Sequence, residues 1–223
     1  ALPDGYALAE NVPALTVTVE LGGVAVLEGT EHNHPICGAA HTDIGDHTGT
    51  CEDVAWTAWN GTDEITYDAD TSTAYVYLTD NVDITSALYV ETGNTLYLCL
   101  NGHSITKSKT DEVIYVWDGA QFILCDCQGG GRITHSNGVT GRGMRVGGSR
   151  DEAAFFMYGG EISGNHAGTS GSGNGKDGAG VEIQNSTFKM YGGKIRDNHV
   201  DVKDNYGGGG VCAQTSSRFY MYG

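Results

Sequence analysis

Apolar and polar residues alternate along this chain in short stretches separated by glycine-rich corners, and no stretch shows the three-to-four-residue apolar recurrence of an amphipathic helix. The clearest stretch returns three times, as Phe155-Phe156-Met157-Tyr158-Gly159-Gly160, Phe188-Lys189-Met190-Tyr191-Gly192-Gly193 and Phe219-Tyr220-Met221-Tyr222-Gly223, with the tyrosines 33 and 31 residues apart. A Gly-Val strand precedes each later copy, at Gly180-Val181 and Gly210-Val211. Fainter copies run from Val113 to Val116 and from Phe122 to Cys125, and from Leu96 to Gly102. A unit of about 30 residues with two or three short strands and glycine corners is one rung of a β-solenoid, and helical repeats of similar length are excluded.

Alternation then sets the faces. Phe155 and Met157 share one face with Phe188, Met190, Phe219 and Met221, which predicts the core. Phe156, Lys189 and Tyr220 point outward beside a column of Tyr158, Tyr191 and Tyr222, with rungs about 4.8 Å apart. Asn165 and Asn198 follow the repeated Ile at a corner, where positive φ and an amide bond to the next rung are expected. Cys99 and Cys125 or Cys127 should lie on neighbouring rungs.

The 35 glycines among 223 residues fit many tight turns, since collagen would require glycine at every third position. A formal net charge of −16 argues against nucleic acid or an anionic membrane surface as partner. No apolar run reaches the roughly 20 residues that a spanning helix requires. Ala1-Leu2-Pro3 reads as a trimmed start, and the last repeat breaks off at Gly223 as in a fragment of a longer protein. Six cysteines are too few for a disulfide scaffold.

The MYGG-x-Ile and Gly-Gly-Gly-Val signatures from about residue 74 onward resemble the right-handed parallel β-helix repeat proteins on the surface of gut-dwelling Gram-positive bacteria, and Leu98 to Ile105 looks like that family's opening rung. The resemblance implies an all-β, right-handed parallel β-helix, secreted or held at the cell surface. Residues 74–223 would form the rungs, 31–73 a His/Cys-rich cap and 1–30 a strand segment, with a hairpin across Gly22-Gly23 joining Leu15–Val19 to Val24–Leu27. A solenoid needs such a cap to cover its first core layer.

Residues 32–51 hold His32, His34, Cys37, His41, His47 and Cys51. The pairs His34-x2-Cys37 and His47-x3-Cys51 suit a tetrahedral structural zinc site, with a Cys37–Cys51 disulfide as the competing reading. The following Trp56-x-x-Trp59 also resembles the segment ahead of the β-helix in those bacterial proteins.

Function reads as a non-catalytic module that presents a rigid face to host glycans or glycoproteins. Outward tyrosines in register can stack on sugars or meet protein partners, or they can simply pack on one another. The alternative is a polysaccharide lyase or glycosidase, which needs two carboxylates flanking one bond. Asp197, Asp201 and Asp204, with Arg196 and Lys203, form the only dense charged group on the repeats, and they sit in a loop where solvated charge is expected, with catalysis and a calcium site as equal alternatives. The glycine-rich stretch 171–180 has no phosphate-cradling ending.

Overall fold

The computed structural model describes the backbone of residues 33–36 and 52–55 and, with side chains, residues 56–168, 178–201 and 207–222. The expected hairpin within residues 15–27 lies outside the described residues. Two compact units divide at Glu31 and His32, and the second, His32–Gly223, holds every element described below.

Three parallel sheets form the body of this unit. Sheet 1 stacks seven strands, Thr57–Trp59, Thr73–Leu78, Thr95–Cys99, Gln121–Cys125, Ala154–Met157, Thr187–Met190 and Arg218–Met221. Sheet 2 stacks five, Val82–Ile84, Ser104–Lys107, Arg132–His135, Glu161–Ser163 and Lys194–Arg196. Sheet 3 stacks Leu88–Val90, Ile114–Val116, Met144–Val146, Val181–Gln184 and Val211–Gln214. From Thr73 onward the chain visits sheets 1, 2 and 3 in turn and then returns to sheet 1 one rung further on, so each parallel neighbour there is a crossover away. This is a parallel β-solenoid, and the described residues contain no helix.

Burial follows the alternation. Thr73–Leu78 buries every second residue, Ala74, Val76 and Leu78, against the interior. Register places Leu96, Phe122, Phe155, Phe188 and Phe219 in one inward column. The phenylalanine rings stack at 5.5, 4.5 and 4.8 Å between centroids. Leu98, Leu124, Met157 and Met190 form the adjoining column, and Ile105, Ile133, Ile162 and Ile195 fill sheet 2's inner face. The inward positions of the last sheet 1 strand, Phe219 and Met221, remain 37% and 74% exposed because that strand forms the sheet's edge.

One corner differs from expectation. Positive φ falls on Gly164 (68°) and Asp197 (54°), one residue ahead of Asn165 and Asn198. The reason is visible in the hydrogen bonds, since turning the chain one residue earlier aims the Asn side chains inward along the stack. Asn165 Nδ2 donates to Asn198 Oδ1 (3.0 Å) and to Ile133 O (3.3 Å), while Asn198 Nδ2 donates to Ile162 O (2.8 Å). The expected amide bond between rungs is present.

The parallel ladder starts in Thr57–Trp59, within the segment read as the cap. Ahead of it, Asn33–Ile36 pairs antiparallel with Glu52–Ala55, setting His34 opposite Val54 and Ile36 opposite Glu52.

Candidate functional site

Four groups of side chains carry chemistry. The first is the tyrosine column. Tyr158 and Tyr191 stack at 4.8 Å and 15°, and Tyr191 and Tyr222 at 4.9 Å and 11°. Near-parallel rings at rung spacing cover each other's faces, so the column offers solvent mainly ring edges and hydroxyls. Burial, helped by the nearby Tyr191 and Tyr97 phenols, pushes the Tyr158 hydroxyl up to about 12.

The second group lies on sheet 3 and at the solenoid's upper end, and the sequence reading did not single it out. Register aligns Tyr89 with Tyr115 and Tyr115 with Arg145, whose guanidinium carbon sits 4.9 Å from the Tyr115 ring centre. Trp117 stacks on Tyr115 at 5.3 Å, whereas Tyr89 meets Tyr115 and Trp117 at 54° and 65° and stacks on neither. Tyr89 and Trp117 are 45% and 40% exposed, high for rings that bury well in most proteins. Tyr89 also lines an open cavity of about 590 Å³ together with Trp59, Tyr67, Asp63, Asp83 and Glu91. Burial, with the Glu91 charge added, raises Tyr67 to about 12. The signal in the sequence was there as Leu88-Tyr89-Val90 and Ile114-Tyr115-Val116, two apolar-Tyr-apolar triplets.

The third group is a thiol cluster. Cys99 and Cys125 are register partners, and Cys99 Sγ lies 3.6 Å from Cys127 Sγ, which places all three on neighbouring rungs as expected. The contact is between thiols. A hydrogen bond with Cys99 raises the Cys125 thiol, and burial reinforces it; burial and then Cys99 push Cys127 up to about 12. High thiol pKa values make these poor nucleophiles.

The fourth group occupies the outer face of sheet 2 and the corner after it. Glu161 accepts from Arg196 Nε (2.9 Å) and faces Arg132 Nε at 3.5 Å. Burial alone would raise its carboxyl, but the Ser163 hydroxyl and the two guanidiniums outweigh that and hold it low. Arg196 also pairs with Asp197. Asp201 bonds to both His166 and His199. These three carboxylates are committed to cations or imidazoles. Lys203 and Asp204 lie outside the described residues.

Of the four expected zinc ligands, His34 is on the strand Asn33–Ile36 with only its backbone described, and Cys37, His47 and Cys51 lie outside the described residues. No helix among the described residues is long and apolar enough to cross a membrane. Compared with known proteins, the chain matches no family model, no curated protein and no solved structure.

Proposed function

We propose that this chain is a non-catalytic binding module of a secreted or cell-surface protein, and that it holds a neutral glycan at the upper end of the solenoid, against Tyr89, Trp117 and the adjoining cavity. The observation that carries this is the combination of half-exposed aromatic rings with a concavity lined by carboxylates. A sugar ring presents C–H groups to an aromatic face and hydroxyl donors to acceptors, and this site supplies both. Asp63, Asp83 and Glu91 accept from hydroxyls and repel uronate or sialate carboxylates, as does the net charge of −16. A stack of parallel rungs fixes these side chains on strands, which favours recognition without an ordering cost on binding. In this reading the column Tyr158, Tyr191 and Tyr222 stabilises the stack and offers a ligand its hydroxyl rim.

A glycan array probed with the full chain tests this, followed by calorimetry on the hits. Neutral glycans should dominate the hits, and Trp117→Ala or Tyr89→Ala should weaken binding about tenfold, or ~1.4 kcal/mol. Wild-type affinity in both variants would move the site elsewhere. The carboxylates in the same cavity favour a second reading, polysaccharide cleavage. All of them are exposed, and lack the burial that tunes a general acid apart from its base. Release of reducing ends that disappears in Asp83→Asn or Glu91→Gln would establish that second reading.

The cap belongs to the same proposal. We infer that a structural zinc on His34, Cys37, His47 and Cys51 ties residues 31–73 together, and the resemblance to gut bacterial surface proteins points the same way. The support is local: the antiparallel pair Ile36 and Glu52 joins the chain at the residues that directly adjoin Cys37 and Cys51 in sequence. Zinc supplies cross-linking here and no catalytic step. Purification without chelator should yield near-stoichiometric zinc, and a Cys37–Cys51 disulfide in a peptide map would replace the metal.

A further inference from the structure

We infer that His166, His199 and Asp201 form a surface binding site for a divalent transition-metal ion, which clips two consecutive rungs together and is independent of residues 32–51. The site grows out of the repeat. His166–Ala167 pairs in parallel with His199–Val200, with His166 opposite His199 and Ala167 opposite Val200. His199 N donates to Asn165 O and Asp201 N to Ala167 O, each at 2.9 Å, so the backbone under all three side chains is held by the ladder. The amides of buried Asn165 and half-buried Asn198 fix the residue that precedes each histidine. Ala167 turns inward, 2% exposed, and the histidines therefore turn out.

The two imidazoles, like the register partners Tyr89 and Tyr115 at 54°, do not stack. The Phe and Tyr columns stack within 11–24° of parallel, yet His166 and His199 lie at 53° with centroids 5.1 Å apart. The tilt brings both Nε2 atoms to one carboxylate, each 2.8 Å from an oxygen of Asp201. All three ligand atoms lie within 4.8 Å of one another. A zinc ion with bonds of about 2.0–2.2 Å holds tetrahedral ligand atoms roughly 3.3–3.6 Å apart, so the 2.8 Å imidazole–carboxylate contacts open as the ion enters between them.

The donor set selects the ion. Two imidazoles with one carboxylate suit Zn²⁺, Ni²⁺ and Cu²⁺, while Ca²⁺ and Mg²⁺ want oxygen alone. The side chains are 40%, 67% and 55% exposed, which leaves the remaining coordination positions to water or an outside ligand. Binding needs each Nε2 lone pair, so a neutral ring shifts its proton to Nδ1 and a charged ring releases one to solvent.

The experiment uses the metal-free full chain titrated with Co²⁺ and Zn²⁺. Thiolate-bound Co²⁺ gives an intense near-ultraviolet charge-transfer band, and an imidazole–carboxylate site does not. The double variant His166→Gln/His199→Gln should lose one equivalent of metal and keep any near-ultraviolet band, and Asp201→Asn should weaken that equivalent at least tenfold. Circular dichroism of the metal-free variants should match the parent, because the three side chains lie on the surface. In the unmutated chain the ring nitrogens of His166 and His199 should shift together on the first addition of Zn²⁺ that they sense, and Ca²⁺ in excess should leave them in place. An unchanged metal count and affinity in the double variant, ring shifts in one histidine alone, or displacement by Ca²⁺ would each overturn the assignment.

Discussion

Asn165 is the residue on which the corner of the repeat turns. It is 1% exposed, yet its amide meets Asn198 Oδ1, Ile133 O and Ser163 O, and its carbonyl oxygen meets His135 Nδ1 at 2.8 Å. Truncation to Ala leaves several of these partners buried without a bond, and an unsatisfied buried polar group costs about 1–3 kcal/mol. Asn165→Ala should therefore lower unfolding free energy by about 2–4 kcal/mol in a denaturant titration, well above the typical cost of a surface change. His135 faces two oxygen acceptors, Asn165 Oδ1 and Asp111 O, and a neutral ring can donate to one of them only. Burial nevertheless holds its pKa below the ordinary 6.5, ahead of the two hydrogen bonds that favour the charge. The unfolded chain then takes up a proton that the folded chain refuses, so this residue's contribution to stability is lost as pH falls below 6.5. Replacing it as His135→Gln should flatten the acid side of the stability profile; an unchanged slope would show that other groups set it.

Columns are the unit of stability at the scale of elements. Phe155 lies between Phe122 and Phe188 with no exposed surface, and Phe155→Ala opens a cavity across three rungs, at a cost of about 3–5 kcal/mol. Tyr191 is also between two stacked rings but at the surface, where each aromatic pair contributes about 0.5–1.5 kcal/mol. Tyr191→Ala should thus cost roughly 1–3 kcal/mol and leave the solenoid folded, with circular dichroism as the check. These columns were legible in the sequence because Phe-x-Met-Tyr-Gly-Gly recurs with fixed spacing, and a two-residue period assigns each position a face. The φ of Asn165 was misplaced by one residue because Asn tolerates positive φ, and only the inward amide bonds reveal that Gly164 takes the turn instead. His166 and His199 escaped notice although each follows a ladder asparagine. Sequence gives their register but not the tilt that aims both at Asp201, since tilt depends on which side chain comes two residues later. Tyr89 and Trp117 escaped because their repeat is short and lies outside the strongest signature.

At the scale of the molecule, stacked rungs contact only their neighbours, so groups that titrate abnormally in several rungs add their effects. Cys127, whose thiol moves from 9.0 to about 12, and Tyr67 and Tyr158, whose hydroxyls move from 10.0 to about 12, all resist losing a proton in the folded chain. The Cys125 thiol is raised as well. Between these unfolded and folded values the unfolded chain has released protons that the folded chain keeps, so stability is intact below pH 9.0 and falls as pH rises toward about 12. Lys107 acts in the opposite sense. Its ammonium is buried, donates to Glu112 O and has a pKa below the ordinary 10.5, so stability gains from it as pH approaches that value. Three phenol or thiol groups with raised values of about 12, spread over the upper and middle rungs, outweigh one lysine. Urea titrations at stepped pH from neutral upward should show a constant midpoint to about pH 9 and a declining one beyond it. Replacing the two most accessible contributors, in Cys127→Ser/Tyr158→Phe, should make the decline shallower without changing the neutral-pH unfolding slope. A midpoint that holds steady from pH 9 to 11 in the parent chain would mean that these hydroxyls and thiols ionise alike in the folded and unfolded states, and that the columns are far looser than their stacking distances imply.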